Sequence, residues 1–307
     1  MFFKKGYIMS NFVSLHNQTV FSLLDSLCSV QGLFDRAKEL NQSAIAITDH
    51  GSLAAAWDAL KASKKTGVKL IIGCECYFTD DVDCMFQRLS HLILLAKNAT
   101  GYRNLLTLNK LAFDQGKNAG SKVYPIVDWK LLEQYSEGLV CLTACGNGIL
   151  SYDLANGNNE EAEEKLLKLK ELFGDNLGVE VLANNMKRNA TVFTHEIDQK
   201  FLNRRAMKLA DKHNVKVVAA CNTHYLTKDE YDTHDVLLSI GAKAPRYSNF
   251  RLKYNVNDFY LKSETEMISF FTRNFGEETA KNIVNNSKYF SDLCEEPEWI
   301  DPKYSNP

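Results

Sequence analysis

Short apolar runs, polar turns and amphipathic stretches alternate along most of this chain. Seven runs, at residues 12–16, 44–48, 69–72, 92–95, 139–143, 178–182 and 216–220, are rich in Val, Ile, Ala and Leu and nearly unbroken. A strand wetted on one face alternates with period two, whereas one covered on both faces is apolar throughout. These runs therefore predict strands of a buried, mostly parallel sheet. Between them apolar residues recur at helical spacing over 32–40, 53–65, 101–113, 160–173 and 195–213, with Gly67 as a stop just beyond the second. Strands alternating with helices predict an α/β fold. The rhythm breaks in the last 70 or so residues, where helices are expected over 229–240, 264–271 and 277–293, a loop over 242–257, and a loose tail over 295–307.

Composition narrows the class. The chain has 307 residues, 45% hydrophobic and 24% charged, which excludes disordered and fibrous proteins and allows one large domain or two small ones. No apolar run approaches the roughly 20 residues that span a bilayer, and the first nine residues carry two lysines with no apolar stretch behind them. A cytoplasmic protein with no membrane partner is expected. With 36 basic against 38 acidic residues, any nucleic-acid contact must be a local patch. The late loop offers one: Arg246, Arg251 and Lys253 alternate with Tyr247, Phe250 and Tyr254, and charge with stacking suits single-stranded DNA. The same residues also fit a solvated loop that packs its aromatics on the fold. Eight cysteines without a Cys-x-x-Cys are expected to be reduced and mostly buried.

Metal-capable side chains collect where strands end: His16, Asp49, His50, Glu75, Cys145 and His224. The carboxyl ends of parallel strands converge on one face, where α/β folds build their sites. His91 precedes its strand, so this reasoning does not place it. Any one of these residues could be a turn, a cap or a core side chain; the set together points to a metal rim. Mixed nitrogen, oxygen and sulfur donors suit zinc or manganese, and clustered ions suit hydrolysis of phosphate esters. There is no P-loop, Gly-x-Gly-x-x-Gly, Gly-x-Ser-x-Gly or His-Glu-x-x-His.

Several stretches resemble the PHP (polymerase and histidinol phosphatase) domain, in the version that opens the bacterial DNA polymerase III alpha subunit. They begin with the segment 12–25 and continue through Ala46-Ile-Thr-Asp-His-Gly51 and Ile72-Gly-Cys-Glu75. His91-Leu-Ile-Leu-Leu-Ala-Lys-Asn98, Gly101-Tyr-Arg-Asn-Leu105, Asn222-Thr-His-Tyr225, His234-Asp-Val-Leu-Leu238 and Asp258-Phe-Tyr-Leu-Lys-Ser263 follow in order. The resemblance implies a distorted seven-stranded, TIM-like β/α barrel with a short helical C-terminal extension. It implies an N-terminal extension over 1–10, the PHP domain over 11–257, and the start of a segment leading to a polymerase palm over 258–307. It also implies up to three metal ions held by His16, Gln18, Asp25, His50, Glu75, His91, Cys145, Asn222 and His224, with His16, Glu75 and His224 in catalytic roles. Asp25 is added by the resemblance alone; Asp49 is not among the family's ligands and is expected to be structural.

Two positions depart from the pattern. Gln18 stands where full-set members have His, and Asn222 where they have Asp. Both belong to the same metal, grouped with His16 and Glu75. The other groups are complete: Glu75, His91 and Cys145, and Asp25, His50 and His224. One or two ions of zinc or manganese are therefore expected, with weak or absent hydrolysis. The expected partners are a single-stranded DNA 3′ end, the remaining polymerase domains, or a separate exonuclease subunit. Three readings follow: a replicative-polymerase module serving as scaffold or docking surface, a working metal-dependent 3′–5′ exonuclease, and a small-molecule phosphatase of the histidinol-phosphatase type. Without palm carboxylates, the chain is not expected to polymerise DNA by itself.

Overall fold

Side chains on successive strand residues point to opposite faces, and here both faces are dry. The inward residues Ala46, Ile71, Ile93, Leu95, Val140 and Val218 share one buried cluster. The outward Ile45, Ile47, Leu70 and Ile72 pack instead with Leu33, Phe34, Ala59 and Leu60 of two flanking helices. That double burial is why the runs are unbroken. In the computed structural model, residues 9–83, 88–119, 122–188, 197–251 and 253–300 are described. Among these residues seven strands form one sheet: β1 (Ala44–Ile47), β2 (Lys69–Phe78), β3 (Ser90–Ala96), β4 (Ile126–Val127), β5 (Leu139–Leu142), β6 (Leu177–Leu182) and β7 (Lys216–Ala220). The order across it is β1-β2-β3-β5-β6-β7, with β4 paired to β2. Among the described residues ten α-helices accompany them: α1 (Val30–Glu39), α2 (Ala56–Thr66), α3 (Ala99–Asp114), α4 (Trp129–Tyr135), α5 (Ser151–Asn156), α6 (Asn159–Phe173), α7 (Gln199–Lys212), α8 (Tyr231–Gly241), α9 (Glu264–Phe275) and α10 (Glu277–Asp292). Among the described residues no helix is long and apolar enough to cross a membrane.

Three differences from the sequence pattern shape the site. First, the run at 12–16 is buried but is not a ladder strand. Its backbone is satisfied partly by side chains, Val13 N–H by Ser287 Oγ and Ser14 N–H by Gln42 Oε1. Single bridges, Ser14 to Ile45 and Asn17 to Thr223, tie it to β1 on one side and to the chain leaving β7 on the other. This segment closes the curled sheet into a distorted α/β barrel. Second, β3 runs antiparallel to both β2 and β5, so the sheet is mixed. Third, β2 is ten residues long, continuing through Gly-Cys-Glu-Cys-Tyr-Phe78. Glu75 therefore lies inside a strand rather than after it, in the inward phase set by Ile71 and Gly73. The last two helices also pack on the barrel: Phe290 of α10 joins the inner cluster, and Met267, Phe271 and Val284 bury against Phe12, Val181 and Ala219.

One packing contact is sensitive to a single methyl group. Gly101, in the first turn of α3, sits against Gly138, and a Cβ there would lie 1.8 Å from the Gly138 carbonyl oxygen. Backbone cannot give way as a side-chain tip can. Gly101→Ala should lower the unfolding free energy by about 2 kcal/mol or more. Gly67→Ala meets no atom within 4 Å at the α2 stop and should cost only about 1 kcal/mol, for its left-handed φ of 76°. Urea unfolding of the two variants checks the order.

Candidate metal centre

Glu75 is the hub of the barrel's rim and is buried. Its Oε2 lies 2.9 Å from His16 Nε2 and 3.4 Å from His50 Nδ1, and also accepts the Gln18 side-chain amide N–H. Its Oε1 lies 2.8 Å from His91 Nδ1, with Cys145 Sγ donating at 3.6 Å. A second carboxylate, Asp25, sets Oδ2 3.1 Å from His50 Nε2 and 3.2 Å from His224 Nε2. His50 thus stands between two carboxylates. Two sets, Asp25/His50/His224 and His50/Glu75/His91, each offer ligand atoms within 4.8 Å of one another. Cys145 Sγ is 3.5 Å from His91 Nδ1, so the thiol borders the second set.

Local structure explains how each side chain arrives. His91 is the second residue of β3, and because β3 is reversed, its start lies at the rim where the parallel strands end. His50 follows β1 and bridges to Glu75, held by Glu75 N–H to Asp49 O at 3.1 Å and Gly51 N–H to Glu75 O at 2.9 Å. Asp49 turns away from the ligand sets. Its carboxylate accepts from Thr19 N–H, Thr19 Oγ1 and Ser22 Oγ, pinning the segment that carries Gln18, which agrees with a structural role. His224 sits 3.0 Å from the Asn222 carbonyl through Nδ1. A carbonyl can only accept, so Nδ1 donates, and the Nε2 facing Asp25 is left for a proton or a cation.

The chemistry of these donors fits a metal ion. Burial raises the Glu75 carboxyl, but His16, His50 and His91 outweigh it and hold it well below the usual range. Burial likewise raises Asp25, yet His224 and His50 hold it well below. Asp25 Oδ2 and His50 Nδ1 are buried without a hydrogen-bond partner. Two ionised carboxylates facing imidazole nitrogens at about 3 Å make a ready-made cation cage. Asn222 lines a cavity of about 40 Å³ together with His50, Glu75, His91, Cys145 and His224.

Glu180 escapes notice in the sequence. Its side chain is fully buried and sets Oε1 2.6 Å from His16 Nδ1, so His16 lies between two carboxylates. Burial lowers the His16 pKa, but Glu180 and Glu75 outweigh it and hold it well above the ordinary value. The visible signal is one charge inside the apolar run Leu177-Gly-Val-Glu-Val-Leu182. His234 of α8, which opens one of the matched stretches but is not among the expected ligands, is also buried, with Nε2 2.7 Å from the Asp25 carbonyl. The two arginines of the basic loop pair within the chain. Arg246 pairs with Asp232 and Asp235, and Arg251 with Asp235 at 2.7 Å. Tyr254 packs on Phe259 and His234, while Tyr247 and Phe250 are exposed. The described cysteines are buried free thiols; Cys84 lies outside the described residues, as do 1–8 of the expected extension and 301–307 of the tail.

A mixed α/β barrel carrying carboxylate, imidazole and thiol donors at one rim defines a barrel with a candidate metal centre. The family model for the PHP domain matches residues 14–184, and the chain belongs to that family. Its relatives include the DNA polymerase III subunit alpha of Treponema pallidum, 38% identical over 268 residues. That of Borreliella burgdorferi is 35% identical over 268 residues, covering 85% of this chain and 22% of the relative. That of Aquifex aeolicus is 32% identical over 318 residues, covering 97% and 26%. The chain thus spans about a quarter of the length of these curated relatives.

Burial, with His224 beside it, lowers His234 from 6.5 to about 4. The unfolded chain takes up this proton near pH 6.5 and the folded chain only near pH 4. Stability is therefore lost as pH falls through that window, by up to about 3 kcal/mol. Urea unfolding of the metal-free protein should show His234→Gln losing less stability than wild type between pH 7 and pH 4.

Proposed function

We propose that this chain is the N-terminal PHP module of a C-family replicative DNA polymerase alpha subunit. It binds one or two zinc or manganese ions and serves DNA replication as a scaffold or docking module, with little or no nuclease activity. The observation that carries this reading is the orientation of Gln18. Its amide N–H is donated to Glu75 Oε2, and its Oε1 accepts from Ser22 Oγ at 2.7 Å. A ligand at this position must offer a lone pair to a cation, and this one offers a hydrogen to the carboxylate instead. Asn222, which belongs to the same group, brings no negative charge. The third ion of the family pattern thus loses one imidazole and one carboxylate.

The remaining residues fit two ions. Asp25, His50 and His224 would hold one, and Glu75, His91 and Cys145 with His50 alongside would hold the other. When bound, such ions polarise a phosphate ester and lower the pKa of water. The chain's own residues supply the negative cage, fix imidazole orientation through the Asn222 carbonyl and Glu180, and wall the site with buried strands. Partners that follow from this reading are the remaining polymerase domains, a single-stranded DNA 3′ end or a separate exonuclease subunit, all in the cytoplasm.

The alternative, an active 3′–5′ exonuclease, is favoured by the two intact ligand sets. A small-molecule phosphatase is disfavoured by the alpha-subunit relatives that cover nearly the whole chain. Metal content and metal-dependent 3′–5′ exonuclease assays on wild type and on Gln18→His/Asn222→Asp separate them. The wild-type chain should hold one or two ions and cut DNA about 100-fold more slowly than the restored variant. Wild-type cutting within about tenfold of the restored variant makes the chain a working nuclease and overturns the scaffold reading.

A further inference from the structure

Asp25 reaches the metal centre from a loop, whereas Glu75 and β3-borne His91 come from strands, and His50, Cys145 and His224 directly follow them. Ser22 and Ser26 are buried, but burial does not hold the tip of that loop. Val20, Leu23 and Leu24 on it are 45%, 81% and 48% exposed. Its backbone is strained as well: Leu24, the residue before Asp25, has φ of 61°, a left-handed conformation that costs a leucine about 1 kcal/mol or more. Polar contacts must then fix the carboxylate. Ser26 Oγ reaches the Gln18 and His224 carbonyls, and Leu27 N–H donates to His224 O at 2.8 Å. The Asp25 carboxylate faces His50 and His224, and its backbone carbonyl is reached from α8 by His234 Nε2 at 2.7 Å.

His234 is in turn held firmly. It is buried on α8, stacks on Tyr254 with ring planes 14° apart, and lies 5.6 Å from the His224 ring. Its neighbour Asp235 is clamped by Arg246 at 3.0 Å and Arg251 at 2.7 Å, which fixes α8 against the late loop. The far end of α8 touches the same loop, since a Cβ at Gly241 would lie 3.1 Å from Leu24 Cβ.

The geometry points to His234 as a positioning residue: its Nε2–H, donated to the Asp25 carbonyl, holds the Asp25 carboxylate in register with His50 and His224. The late loop's arginines serve this metal set from behind, through Asp235 and α8. This inference rests on the metal-binding reading above. Removing the donor frees a strained, exposed loop to carry its carboxylate away. The Glu75, His91 and Cys145 set, built on strands, does not depend on it.

The test is cobalt(II) titration of the full chain and of His234→Phe and His234→Gln. Sulfur-to-cobalt absorption reports the Cys145 set and shows that each variant is folded; the Asp25 set contains no sulfur and is followed by stoichiometry and d–d absorption. His234→Phe should weaken cobalt at the Asp25 set about tenfold or more while the sulfur band persists. His234→Gln, which keeps an N–H at the same reach, should stay within about threefold of wild type. If His234→Phe fails to fold, His234→Asn, whose N–H stops short of the carbonyl, gives the same readout. A Phe or Asn variant that loads the Asp25 set like wild type overturns the positioning role. A wild-type chain that takes no cobalt at the Asp25 set overturns the metal reading and this inference with it.

Discussion

A single buried carboxylate organises this rim. Glu75 lies inside the barrel with both oxygens committed, facing His16 and His50 on one and His91 on the other. Moving an isolated carboxylate out of water costs many kcal/mol, so such a charge persists only with charged or hydrogen-bonded partners around it. The surrounding residues meet that requirement from several separate elements of the fold. The segment after Leu15 brings His16 and Gln18, the end of β1 brings His50, reversed β3 brings His91, and the turn after β5 brings Cys145. The barrel must close for these elements to meet, and the 12–17 segment closes it by bridging β1 to the chain beyond β7.

The centre is lopsided, and the lopsidedness has a chemical meaning. On the side of His91 and His224, imidazole nitrogens face carboxylate oxygens at distances that a cation fits. On the side of Gln18, the gap is already filled by an amide hydrogen and by His16, which Glu180 grips from behind. Glu180 and Gln18 together supply His16 and Glu75 with partners on the Gln18 side. In the proposed reading, a family site gives up one ion here without losing its fold.

Much of this was legible in the sequence. Unbroken apolar runs gave away buried strands, and polar residues at their ends gave away His50, Cys145 and His224. His91 was not placed by that logic, because strand direction is not written in an apolar run. Glu75 was read as following a strand because one charge among Cys74, Cys76 and Tyr77 resembles a strand end; its inward phase was the better signal. Asp25 has no local signature and came only from family resemblance. Glu180 was visible as a lone charge in β6, yet its meaning depends on His16, distant in sequence. For Arg246 and Arg251 the sequence leaves open a nucleic-acid patch or a loop packed on the fold, because it shows charge but not the partners Asp232 and Asp235.

The most direct measurement is anomalous diffraction from crystals of the protein soaked in manganese. Ions are expected among Asp25, His50 and His224 and among Glu75, His91 and Cys145, with no peak between Gln18 and Asn222. An ion ligated by Gln18 and Asn222, with the Gln18 amide turned to present its oxygen, would contradict the central claim that this position has ceased to be a metal site.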